Sequence, residues 1–177
     1  RDFVDVAEER GQSVEDMMCD LLLEEKLDVG YFSNPEGTDE EKALMDRDFV
    51  ELLSRPYYMI GSDAIPYGPR PHPRAFGAFP RFYRMAREQG MPIETFAYHA
   101  SALPARTFKL KDRGEIRVGN YGDLVVLDRE RVTDTSTYQH PRRGPKGIEY
   151  VLVNGQISLW QGQVTGIFAG RGLRRGR

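Results

Sequence analysis

The stretch YYMIGSDAIPYGPRPHPR, Tyr57–Arg74, decides how the rest of the chain is read. With Pro56 in front, PYYMIGSD is a continuous apolar and aromatic run, which is the signature of a strand buried on both faces of a parallel sheet. It stops at Gly61-Ser62-Asp63. A carboxylate at the C-terminal end of such a strand sits where α/β barrels and open sheets place their active sites. An ordinary Asx-turn at a strand exit accounts for Asp63 equally well. Gly61 allows a sharp turn or a close approach, and Pro66 stiffens the loop beyond it. Arg70, His72 and Arg74 then crowd a proline-rich loop. Guanidinium groups suit bidentate recognition of a carboxylate or phosphate, although most loop arginines are simply solvated. His72, between two prolines, reads as a hydrogen-bonding or packing residue rather than a metal ligand.

Working outward, the N-terminal side is helical. DFVDVAEERG groups Phe3, Val4, Val6 and Ala7 on one face and stops at Gly11. Ser13 is a good N-cap for SVEDMMCDLLLEEKL, whose Val14, Met17, Met18, Leu21 and Leu22 recur at helical spacing. Cys19 reads as a small hydrophobe that packs or sits at the edge of this helix. DVGYFS, residues 28–33, is a short strand candidate, and Thr38 with Glu41 forms a capping box for a helix running to about Ser54. Helix, strand, helix, strand suggests α/β with a parallel sheet. On the other side, AFPRFYRMAREQG and PIETFAYHASALPARTFKL read as two helices. From Gly114 the chain turns to short strands with glycine punctuation, and Asn154-Gly155 is a strong signal for a type I′ hairpin. The expected division is residues 1–110 as a helical layer and residues 111–177 as a small β-rich part.

The chain's 177 residues are enough for one core. No apolar run approaches the roughly 18–20 residues that span a bilayer, so no membrane association is expected. The first residue is Arg1 rather than methionine, which reads as a piece of something longer. One cysteine excludes an internal disulfide and fits a reducing compartment, and the expected location is cytoplasmic. Residues 1–54 carry 17 acidic and 5 basic residues, whereas residues 55–177 carry 10 and 20. Such asymmetry marks either two surfaces that face each other or different neighbours, or a nucleic-acid-binding half. The arginines of the terminal GRGLRRGR read as a solvated tail, and no nucleic-acid partner is expected. No G-x-S-x-G elbow, P-loop, CxxC pair or H-E-x-x-H pair is present, and no metal site can be assembled from spacing.

Four stretches together resemble the N-acyl-D-amino-acid deacylases, the D-aminoacylase branch of the amidohydrolase superfamily: MIGSDAIP, PHPRAFGAFPR, LKDRGEIRVGNYGDLVVLD and PKGIEYVLVNGQ. The resemblance implies the C-terminal part of a zinc-dependent TIM barrel with part of a small β-domain. It implies that the intact protein hydrolyses the amide of N-acyl-D-amino acids, with the rest of its own chain as a necessary partner. In that family the metal ligands lie on earlier barrel strands outside this chain, and Cys19 is no match to the family's metal cysteine. Two positions carry over. Asp63 matches the aspartate that moves the proton from the zinc-activated water to the leaving amine. Arg74 matches an arginine that holds the substrate's α-carboxylate. The sequence departs from the family's pattern at Gly122, where alanine is usual, and at Lys109, where glycine is common. The alternative is a non-catalytic binding or interaction module that keeps only the fold.

Overall fold

The structure is a computed structural model that describes residues 2–28, 37–68 and 71–174. It divides into two compact units, at residues 1–37 and 38–177. The predicted strand DVGYFS lies, after Asp28, outside the described residues, as does Arg70.

The first unit is a helical hairpin of α1 (Phe3–Arg10) and α2 (Val14–Glu24). Asp2 caps α1 in a capping box with Asp5, and Gly11 ends it in the left-handed conformation at φ 64°. The expected Ser13 cap accepts from the Asp16 amide at 3.1 Å. The helices bury Ala7 and Met17, and Arg10 pairs with both carboxylate oxygens of Glu24 at 3.0 and 3.1 Å. Cys19 is exposed rather than packed, because Met17 occupies the buried stripe two residues away.

The second unit begins with α3 (Asp39–Leu53), opened by the Thr38–Glu41 capping box that the sequence announces. Next comes the segment predicted as a buried parallel strand, and here the structure differs. No strand is assigned between Pro56 and Asp63, and Tyr57 and Tyr58 are exposed. A parallel strand needs neighbours to complete its ladders, and no other described segment pairs with this one. It is held instead by His99: the Ile60 amide donates to the His99 carbonyl at 3.3 Å, and His99 Nδ1 donates to the Tyr58 carbonyl at 2.7 Å. No parallel sheet occurs among the described residues, although the mixed α/β character stands.

Helix α4 (Arg74–Glu88) starts four residues before the predicted AFPRFYRMAREQG and carries Pro80 in its interior. An interior proline costs about 3 kcal/mol, and contacts with the far part of the chain offset it. Tyr83 Oη donates to the Arg129 carbonyl at 3.0 Å. Arg87 Nη1 donates to the carbonyls of Arg129, Glu130 and Val132 at 3.1, 2.8 and 3.2 Å. Gly77 faces Ser136 so closely that a Cβ would lie 2.3 Å from its Oγ.

The second predicted helix is a continuous run of α5 (Ile93–Ala97), a π-helical turn (Tyr98–Ala102) and α6 (Leu103–Thr107). Pro104 has no amide to give and crowds the carbonyl four residues back. The wider π turn immediately before α6 accommodates both.

The predicted hairpin is present. Strands β1 (Leu124–Leu127), β2 (Ile148–Val153), β3 (Gln156–Trp160) and β4 (Gln163–Val164) form an antiparallel meander in chain order. Asn154 and Gly155 turn β2 into β3 at φ 50° and 80°. The Asn154 amide donates to Asp123 Oδ1 at 2.7 Å, and Arg113 bridges Asp123 and the Asn154 side-chain oxygen. Three widely spaced sequence signals, D-R-G, G-D and N-G, thus meet in one cluster. Arg171, exposed like the other described residues of the tail, lies 4.4 Å over the Tyr121 ring. The core joins Val50, Leu53 and Ile60 to Tyr83, Phe96 and Val132. Tyr83 and Phe96 meet edge to face at 5.1 Å, an arrangement worth about 0.5–1.5 kcal/mol beyond area burial.

The two family departures also find their places. At Gly122 a Cβ would sit 3.0 Å from Gly155 Cα, so its absence lets the hairpin turn approach closely. Lys109 closes α6. Its φ is 56°, its amide reaches the Arg106 carbonyl at 3.2 Å, and the Leu110 amide reaches Ala105 at 2.8 Å. This is a Schellman cap with lysine where glycine is cheapest. Lys109→Gly should therefore stabilise the protein by about 0.5–1 kcal/mol. Gly147→Ala should do the reverse, by about 3 kcal/mol or more, because φ is 77° and a Cβ would lie 2.6 Å from the backbone at Arg131 and Val132. Urea denaturation midpoints check both, and unshifted midpoints would contradict these backbone assignments.

Candidate functional site

Asp63 leaves the extended segment with φ 45°, in the left-handed region that aspartate tolerates better than most residues. Its neighbour Gly61 does not use the freedom expected of it, since its φ is not positive and a Cβ there would meet nothing within 4 Å. The kink falls on Asp63 itself, and it turns the carboxylate towards the start of α4. There Oδ2 lies 3.1 Å from Nη2 of Arg74, the first residue of the helix. The structure thus brings together the two candidates singled out in the sequence.

The pair is loosely held. Asp63 and Arg74 side chains are 84% and 42% exposed, and exposed ion pairs contribute only about 0–1 kcal/mol. Another carboxylate arriving at Arg74 can exchange with Asp63 at small cost. The backbone under Arg74, by contrast, is firmly held. The Pro73 carbonyl accepts from the Phe76 and Gly77 amides, each at 3.0 Å, and from Ser136 Oγ at 3.0 Å. Arg84 ties Asp134 to the same helix at 3.2 Å. Arg142 Nη2 donates to the Gly68 carbonyl at 2.6 Å, so residues 134–142 grip the loop on both sides of its proline-rich middle.

His72 completes this grip. Its Nδ1 accepts from the Arg74 amide at 3.1 Å, and its Nε2 lies 2.9 Å from Tyr138 Oη. Its pKa is lowered from the ordinary histidine value by burial first, then by the charges of Arg74 and Arg81. The reading of His72 as a hydrogen-bonding residue agrees with this geometry. Nothing in the local sequence pointed to Tyr138, which lies 66 residues downstream.

The other histidines stand elsewhere. His99 is buried in the π turn, and His140 closes a turn with Thr137. Among the described residues no three His, Cys, Asp or Glu side chains come together to hold a metal ion. No helix among them is long and apolar enough to cross a membrane. A concavity of about 890 Å³ between α4, α5 and β1 is lined mainly by apolar side chains such as Phe79, Tyr83, Phe96 and Leu124. Asp63, His72 and Arg74 do not line it, and its charged rim is an ion-pair cluster of Arg106 and Arg117 on Glu115.

Comparison with known proteins gives a consistent picture. The chain is 40% identical over 179 residues to a D-aminoacylase of Alcaligenes xylosoxydans xylosoxydans, covering 99% of this chain and 34% of that protein. Among solved structures, a D-aminoacylase superposes with a TM-score of 0.78 at 36% identity, covering 99% of this chain and 35% of the other. The N-acyl-D-glutamate deacylase of Bordetella bronchiseptica, solved with zinc and a phosphonate inhibitor, superposes with a TM-score of 0.68 at 30% identity. That match covers 88% of this chain and 30% of the other. The chain therefore spans about a third of the length of these relatives. The model of the amidohydrolase family matches residues 33–159, which include Asp63, Arg74 and the Asn154-Gly155 turn, and the chain belongs to the amidohydrolase family.

Proposed function

We propose that these residues are the C-terminal portion of a zinc-dependent hydrolase that cleaves N-acyl-D-amino acids to a D-amino acid and a carboxylate. The observation that carries the reading is the meeting of Asp63 and Arg74 at one exposed loop. In this reading residues 1–110 belong to a (β/α)8 catalytic barrel, and residues 111–177 are part of a small β-rich domain. The extended, unpaired run before Asp63 would be the last barrel strand, with its neighbours supplied by the rest of the protein. The zinc found with the N-acyl-D-glutamate deacylase supports a metal-dependent reaction. A bound zinc supplies a hydroxide at neutral pH. The described residues do not fit such an ion by themselves, so its ligands are assigned to the remainder of the protein.

The chain's own residues then have separable tasks. Arg74 holds the substrate's α-carboxylate through its planar fork of donors, and the substrate displaces Asp63 from the ion pair as it binds. The released Asp63 carboxylate accepts a proton from the attacking water and returns it to the leaving amine nitrogen. One group fixes position and the other moves the proton, so their loss should show in different kinetic constants.

Both tests use the zinc-loaded, full-length protein with N-acetyl-D-methionine as substrate. Asp63→Asn keeps a residue that tolerates the left-handed backbone, so it should retain folding and zinc content. It should lower kcat by about 10²- to 10⁴-fold, and wild-type turnover would remove Asp63 from the chemistry. Arg74→Ala should raise KM by about ten- to a hundredfold, the effect of a lost charged hydrogen bond, while leaving kcat nearer to wild type. An unchanged KM would place the carboxylate anchor elsewhere. Full activity in the 177-residue chain alone would contradict its role as a part of the catalyst.

A further inference from the structure

The two nitrogens of His72 are both engaged, and the partners fix its protonation state. The Arg74 amide can only donate, so Nδ1 must carry a lone pair. A neutral imidazole has one proton, which is then on Nε2 and is donated to Tyr138 Oη at 2.9 Å. The Tyr138 ring meets the imidazole edge-on, with centroids 5.1 Å apart. The N-terminus of α4 has no side-chain cap from Pro73, and His72 fills that role by reaching the first helical amide from two residues upstream. We propose that neutral His72, braced by Tyr138, is a positioning residue that holds Arg74 in the orientation in which it binds the substrate's carboxylate. This rests on the reading of Arg74 as the anchor.

Protonation would undo the arrangement. A proton on Nδ1 would face the Arg74 amide donor to donor. The new charge would also stand at the positive end of the α4 dipole, beside Arg74 and Arg81. Those arginines belong to α4, and Tyr138 is the titratable group facing the ring from the loop packed against it. The lowered pKa arises from the same surroundings. The sign is that of a group whose pKa is depressed on folding: its contribution is present above the ordinary histidine pKa and is lost as the pH falls through the folded value. The substrate's own carboxyl, with a pKa near 3.5, stays ionised throughout this range.

The test is the pH dependence of KM for N-acetyl-D-methionine in the zinc-loaded, full-length protein, with the His72 ring followed by ¹⁵N NMR. The ring should show the Nε2–H tautomer at neutral pH, and KM should rise about three- to tenfold as His72 protonates, the effect of one lost hydrogen bond. His72→Ala should raise KM by a similar factor at neutral pH with little change in kcat. His72→Asn, whose side-chain oxygen can still accept from the amide two residues on, should restore the neutral-pH KM and abolish its acid rise. A merely structural histidine would not produce that separation. A KM that falls on acidification would mean that the imidazolium attracts the substrate, and a KM that ignores His72 protonation or survives His72→Ala would also overturn the proposal. If Arg74→Ala raises KM while His72→Ala does not, only this inference fails. If neither changes KM, the anchor reading fails with it.

Discussion

Much of the second unit depends on one half-buried guanidinium. Arg87 places a single nitrogen against three backbone carbonyls, those of Arg129, Glu130 and Val132. Carbonyls in an irregular segment have no ladder to satisfy them, and leaving one buried and unpaired costs about 1–3 kcal/mol. A fixed fork of donors answers several at once. Around it, Tyr83 adds a hydroxyl, Arg84 holds Asp134, and Gly77 lets Ser136 come within reach of the Pro73 carbonyl. These contacts lie along one face of α4 at successive turns. They fasten the helix to the segment that leads into the sheet, and they fix where both Arg74 and Tyr138 stand.

That fastening explains how a proline can sit inside α4. Pro80 removes one backbone bond, but the residues on either side of it are committed to partners in residues 128–138. Helical propensity is a weak preference beside a row of tertiary contacts. The same balance explains the π turn at Tyr98–Ala102. There the strain from Pro104 is absorbed by a widened turn, and this turn carries the His99 carbonyl that receives the extended segment before Asp63.

The features that could be read from the sequence were those with short-range causes. The Ser13 and Thr38 caps, the Asn154-Gly155 turn and the amphipathic helices each need only a few consecutive residues. Asp63 and Arg74 could be singled out as candidates, because unusual chemistry in a proline-rich loop is visible without knowing what surrounds it. The strand predicted at Pro56–Asp63 does not form among the described residues, for the complementary reason. An apolar run declares that it will be covered, but only neighbours can make it a strand, and none is supplied by the described residues. The start of α4 was hidden by Pro80, and the Arg113–Asp123–Asn154 cluster by the distance between its members. His72 shows two ring nitrogens in the sequence, but its partner Tyr138 can be found only in three dimensions.

Sequence separation also sets an order of events. The contacts that complete the first turn of α4 reach forward 63 residues from Pro73 to Ser136 and 66 residues from His72 to Tyr138. Closing loops of that length is entropically unfavourable until other contacts hold the ends together. A nascent chain, made from the N-terminus onward, can form the body of α4 from local bonds, but its proline-rich entrance must wait for the hairpin sheet's leading segment. The loop bearing Asp63 and Arg74 is therefore among the last parts of the second unit to settle. A chain interrupted anywhere between Glu88 and Tyr138 would own both residues and still lack the frame that aims them.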